Sequence, residues 1–215
     1  MKRLLPLALV LLLSGCTPKY NPQAEHERVL LAQSGGLAMR QDDQLSIALN
    51  SGEKILFTNT GTCKGFDTCD VYVYEGLLAE KQFFLVQQSH GEGGSFWIIS
   101  RKSGKRYEAA HPPTQSPDGR FLVYASLSEL GSHPLDGVHL WEVRQGELIK
   151  RFTRFPKGYE NFSIELWQDN KTVLLNKFAQ VDKNVCPNQF ANIQVKLLRQ
   201  AEGWSLKNGK MKCAN

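Results

Sequence analysis

Apolar positions in this chain fall into three regimes. The first runs from Leu4 to Leu13, between the cations Lys2 and Arg3 and the polar Ser14. It is half the length of the about 20 apolar residues that a helix needs to cross a hydrocarbon core. A cationic start, a short apolar run and small residues before Cys16 are the parts of an export leader that is removed, so residues 1–15 are expected to be cleaved. The second regime, Thr17 to Gln23, has two prolines and no apolar period, as an extended tether would. Glu25 to Gln33 then predicts a short amphipathic helix, stopped by Gly35-Gly36. Cys16, tether and helix together make up residues 16–44.

The third regime, residues 45–215, consists of short apolar runs separated by turn residues. One layout recurs four times: a polar turn, a cation, then a strand. Asn50-Ser51-Gly52-Glu53-Lys54 precedes Ile55-Leu56-Phe57, and Ala79-Glu80-Lys81-Gln82 precedes Phe83-Phe84-Leu85-Val86. Ser116-Pro117-Asp118-Gly119-Arg120 precedes Phe121-Leu122-Val123-Tyr124, and Gln168-Asp169-Asn170-Lys171 precedes Thr172-Val173-Leu174-Leu175. Each is followed by a second run: Val71 to Tyr74, Phe96 to Ile99, Val138 to Val143, and Ile193 to Leu197. The pattern predicts an all-β domain of about four antiparallel strand pairs.

Charge and cysteine content narrow the classes. Loss of Lys2 and Arg3 with the leader turns the net charge of +5 into +3, and the remaining basic residues are interspersed with acidic ones. A nucleic-acid partner is not expected, because it would call for a clustered basic patch with aromatic platforms. Apart from Cys16, the chain holds an even set, Cys63, Cys69, Cys186 and Cys213. Exported chains keep disulfides, and four cysteines allow three pairings. A short Gly-containing loop favours Cys63 with Cys69, and Cys186 with Cys213 would pin the C-terminal tail. The spacings match no common zinc layout, and no metal or cofactor is implied.

Two resemblances add to this reading. Leu13-Ser14-Gly15-Cys16 resembles the lipobox of bacterial lipoproteins, which implies a diacylglycerol thioether on Cys16, cleavage before it and a further acyl group on the new amine. Two or more chains at about 0.8 kcal/mol per buried CH₂ make a lasting anchor. Thr17 in place of Asp after the cysteine resembles the pattern for outer-membrane delivery in Gram-negative cells, on the side facing the periplasm. Ser116 to Tyr124 resembles the blade opening of TolB-type propeller repeats, and Val138 to Leu148, with Trp141-Glu142 and Gln145-Gly146-Glu147, resembles a WD-repeat strand and turn. The resemblance implies a small propeller-like array, with a β-sandwich of the same hairpins as the alternative, and contact with another protein of the envelope.

Candidate chemistry is sparse. His90-Gly91-Glu92-Gly93-Gly94-Ser95 looks like a glycine-rich oxyanion loop, yet the chain has no Gly-x-Ser-x-Gly nucleophile elbow, so it reads as a hairpin loop. His133, Asp136 and His139 recur every third residue, but Pro134 and Gly137 argue against a helix that would align them, so a solvated loop is expected. His111, before Pro112-Pro113, reads as a connector. Asp67, Asp70, Glu92, Asp118 and Asp136 lie in predicted loops, and their convergence would make the protein a hydrolase of glycans or esters. Aromatic residues at strand positions default to packing; those weighed as a binding patch are Tyr72, Trp97, Trp141 and Trp167. The expectation is a membrane-tethered binding protein rather than an enzyme, with the hydrolase and a purely structural spacer as alternatives.

Overall fold

The structure, a computed structural model, describes residues 22–61, 69–90, 93–126 and 134–214. Cys16, Cys63, Asp67, Glu92 and His133 lie outside the described residues. The fold is all-β apart from helix α1 (Pro22–Gln33). The first sheet contains β1 (Ala38–Gln41), β2 (Gln44–Ala48) and β3 (Lys54–Thr58), and the second β4 (Val71–Leu78), β5 (Phe83–His90), β6 (Gly93–Ser100) and β7 (Arg106–Ala109). The third holds β8 (Thr114–Gln115), β9 (Phe121–Ala125), β10 (Val138–Arg144) and β11 (Glu147–Arg154). The fourth holds β12 (Glu160–Asp169), β13 (Thr172–Gln180), β14 (Phe190–Gln200) and β15 (Gly203–Cys213). In every sheet, neighbours in sequence are antiparallel neighbours in space.

The hairpins β5–β6, β9–β10 and β13–β14 pair as the repeated layout predicts, with Val86 opposite Trp97, Val123 opposite Leu140 and Leu175 opposite Val195. The first repeat differs. Ile55 to Phe57 pairs with β2 instead of Val71 to Tyr74, and the latter run opens the second sheet. The alternation of Leu45 and Ile47 with polar neighbours makes β2 a half-buried strand. A two-residue turn links it to β1, with Asp42 at φ 50, a left-handed conformation that Asp tolerates.

Burial patterns follow the stacking of the sheets. Phe83 to Val86 and Phe121 to Ala125 are buried without interruption, because the second and third sheets are covered on both faces. Odd and even residues divide between neighbours. Phe84, Val86 and Ile99 meet Leu45, Ile47 and Phe57 of the first sheet. Phe83, Leu85 and Ile98 meet Leu122, Tyr124 and Trp141 of the third. Phe121, Val123 and Ala125 meet Val173, Leu175 and Val195 of the fourth. In contrast, β13 and β14 alternate buried and exposed positions, so the fourth sheet packs through one face.

The chain ends are tied down separately. Helix α1 stops where Ser34 N–H reaches the Leu30 carbonyl at 3.0 Å and Gly35 and Gly36 turn to φ 66 and 83. Leu30 and Leu31 pack on the first core cluster, beside buried Glu27. At the other end, Cys186 and Cys213 form a disulfide across 27 residues of sequence. A loop of that size restrains the unfolded chain by about 3–4 kcal/mol in the chain-entropy account. Cys69 is buried and disulfide-bonded.

Candidate functional site

Among the described residues nothing covers one face of the fourth sheet, and strand parity defines that face. Val173, Leu175 and Ala179 of β13 and Ala191, Ile193, Val195 and Leu197 of β14 point into the core. Leu174, Asn176, Phe178 and Gln180 therefore point outward, as do Phe190, Asn192, Gln194 and Lys196. Register lines them up across the strands: Asn176 opposite Gln194, Phe178 opposite Asn192, Gln180 opposite Phe190. On the β15 side, Lys196 faces Lys207 and Asn192 faces Lys212. Residues 155–214 carry nine Lys and Arg against five Asp and Glu, so most of the chain's net positive charge resides in this sheet and its approaches.

One end of the face is an aromatic ridge. The rings of Phe178 and Phe190 stack with centroids 5.2 Å apart and planes 3° from parallel, and Tyr159 meets Phe190 edge-on at 6.3 Å. Phe178 is 36% exposed and Tyr159 56%. Phe155, in the same loop as Tyr159, is 53% exposed. Large aromatic side chains gathered in solvent mark a contact surface more often than scattered ones do. Sequence reasoning missed these residues, although a signal was present. Phe178 shares parity with Asn176 and Gln180, and Phe190 with Asn192 and Gln194, so both aromatics occupy the polar side of strands whose other side is apolar.

The aromatics singled out from the sequence are placed elsewhere. Trp141 is 5% exposed and packs at a tilt of 36° against Tyr124 in the core between the second and third sheets. Trp167 packs beside Trp204 at 6.1 Å on the inner side of the fourth sheet, its buried Nε1 without a hydrogen-bond partner. Tyr72 and Trp97 are half-buried against the core between the first and second sheets. Trp97 Nε1 donates to Gln88 Oε1 at 2.6 Å, and Gln88 Nε2 donates to Asp70 Oδ1 at 2.7 Å.

The described loop carboxylates have local partners. Asp118 accepts from Ser116 Oγ at 2.6 Å and from the Arg120 amide at 3.1 Å, closing the turn in which Gly119 has φ 67. Asp136 is buried beside His139, in place of the solvated loop expected there. Among the described residues, no group of three or more His, Cys, Asp or Glu is placed to hold a metal ion. A separate cleft of about 370 Å³ lies between α1 and the turn Ala79 to Lys81, lined also by Glu75. Burial raises the Glu75 carboxyl above its ordinary value, partly opposed by His26 and reinforced by Glu27.

On the inward side of the fourth sheet, Glu160 gathers two cations. Its Oε2 accepts from Arg154 Nη2 at 2.7 Å and from the Lys157 amide at 2.8 Å, and its Oε1 lies 3.4 Å from Lys177 Nζ. Burial pushes this carboxyl up, but the Lys157 amide, Arg154 and Lys177 together outweigh it, so the acid lies below its ordinary value.

The surroundings of His139 disfavour its protonated form. It is 2% exposed, its ring stacks on Tyr124 at 4.8 Å, and its Nε2 lies 3.0 Å from the Asp136 carbonyl, to which it donates. Burial lowers its pKa below 6.5, and nearby Lys150 acts the same way; the Asp136 backbone bond and carboxylate oppose them. The unfolded chain therefore takes up a proton near its ordinary value, and the folded chain only at lower pH. Stability is expected to fall as pH drops from about 7 toward 5, and replacing His139 by Gln should flatten that slope. Urea midpoints measured across the range check this; equal slopes in both proteins contradict it.

Compared with models of known protein families, the chain matches none, and no curated protein matches it. The class defined by fold and surface is an all-β protein of stacked antiparallel sheets whose fourth sheet presents an aromatic face that the described residues leave open.

Proposed function

We propose that this chain is a bacterial lipoprotein, tethered through Cys16 to the outer membrane and facing the periplasm, whose propeller-like β array binds another macromolecule of the envelope through the uncovered face of its last sheet. The observation that carries the binding reading is the solvent-exposed stack of Phe178 on Phe190 with Tyr159 against its edge. Ordering these rings in water gains nothing that core packing would not provide better, whereas a partner that covers them would bury a substantial apolar area.

The lipobox-like Leu13-Ser14-Gly15-Cys16 supports the anchor, and among the described residues no helix is long and apolar enough to cross a membrane. The propeller-like reading is supported by successive up-and-down sheets, each packed on the next. Single-faced burial of the fourth sheet favours an open array over a closed ring.

The test is a photo-crosslinking residue at Asn192, on the proposed face, compared with one at exposed Met39 of the first sheet. A discrete adduct from Asn192 alone, lost when Phe178 and Tyr159 are changed to Ala, is the expected result. Adducts independent of those two rings would refute the face. Replacing Cys16 by Ser should release the protein into the soluble fraction after export, and retained membrane association would refute the anchor.

A further inference from the structure

A pocket of about 210 Å³ opens on the inward side of the fourth sheet, at the end of β11. Its lining is mainly polar, from Arg154, Lys177 and Asn208; half-buried Leu206 adds an apolar side, and Phe162 and Val195 beneath are each 1% exposed. Lys177 breaks the alternation of β13, since it stands in line with Val173, Leu175 and Ala179, all of which enter the core. A charged residue on the apolar side of a strand costs stability unless something repays it, and such local conflicts concentrate at functional sites.

Among the described residues, the pocket's charges do not balance. Lys177 offers three donors, and its Nζ lies 3.4 Å from Glu160 Oε1, long for a charge-assisted bond. Arg154 shares the same carboxylate through Nη2 at 2.7 Å. Among the described residues two cations thus meet one carboxylate, leaving one positive charge on side chains that are 11% exposed for Lys177 and 26% for Arg154. Water screens so enclosed a charge poorly.

We infer that this pocket binds a small organic monoanion. Its carboxylate sits among Lys177, Arg154 and Asn208, and its short alkyl body lies against Leu206, above the buried Phe162 and Val195. The site is on the opposite side of the sheet from the proposed docking face, and it stands or falls independently of that reading.

The test is calorimetric titration of the full chain with propionate, pentanoate and inorganic phosphate at constant ionic strength and neutral pH. Saturable binding of pentanoate is expected, with affinity rising about two- to fourfold per added methylene from propionate. Lys177→Met should weaken it at least tenfold. Glu160→Gln should tighten it severalfold, because removal of the competing carboxylate leaves both cations to the ligand; a purely structural ion pair would show no such gain. Glu160→Gln also keeps the test decisive if the Lys177 variant fails to fold. Absence of saturable binding, phosphate binding as tightly as pentanoate, or unchanged affinity in Glu160→Gln would each overturn the inference.

Discussion

Replacing Gly137 by Ala is expected to cost about 3–5 kcal/mol, the largest effect of a methyl group added at any of the described glycines. Gly137 has φ 95, a conformation that L side chains rarely adopt. A Cβ there would stand 2.0 Å from the Arg154 carbonyl oxygen and 3.0 Å from its carbon. Both are backbone atoms of the strand paired with β10, so relief requires pulling β11 away from Val138. Moving Gly137 instead would disturb the bond its amide donates to Ser126 Oγ, now 2.8 Å. Gly119, at φ 67 with nothing within 4 Å of its would-be Cβ, is the control. Its change to Ala should cost about 1–2 kcal/mol from backbone strain alone. Chemical denaturation of the two variants checks the contrast, and equal losses would show that the close approach at Gly137 carries no weight.

Loss of Glu27 should come next. Its carboxylate accepts both Nε and Nη2 of Arg40, at 2.8 and 2.6 Å, and also the Tyr74 amide at 2.8 Å. Arg40 in turn donates to the Tyr72 carbonyl. One side chain of α1 thus clamps the helix to the first and second sheets. Glu27 and Arg40 side chains are 9% and 18% exposed, so removing the acid strands a guanidinium in a poorly hydrated place. Glu27→Ala is expected to cost about 3–5 kcal/mol. Replacing both residues by Met should cost less than the single change, because no unpaired charge is left behind. A double-mutant cycle measured by urea denaturation decides: strictly additive losses would mean that the pair is not coupled.

Hairpins were legible in the residues because alternation and turn chemistry act over a few neighbours. The Ser116 to Phe121 turn shows this directly. Asp118 accepts the Arg120 amide, Gly119 adopts φ 67, and β9 starts at the next apolar residue after Arg120. The paired Cys186 and Cys213 were likewise readable from a short list of cysteines. Less was legible where a run gave no sign of its partner. Ile55 to Phe57 pairs backward with β2, a choice that depends on the Asp42 turn and not on any feature of the run itself.

The candidate site was largely hidden for a related reason. Trp141 and Trp167 attracted notice by residue type, yet type does not say which face of a sheet is covered. Phe178 and Lys177 are adjacent and both oppose the alternation of their strand, one turned to solvent and the other to the core. That conflict is visible in the letters once the strand's inner side is known.

Local patterning was sufficient to specify an all-β chain with turns at Gly119 and before Thr172, since strand period and φ preferences are properties of neighbouring residues. Which faces meet, and that the fourth sheet leaves one side open, depends on packing between segments distant in sequence. Burial is a property of the assembled stack, so the aromatic ridge at Phe178 and the charged pocket at Lys177 came into view only with the sheets in place.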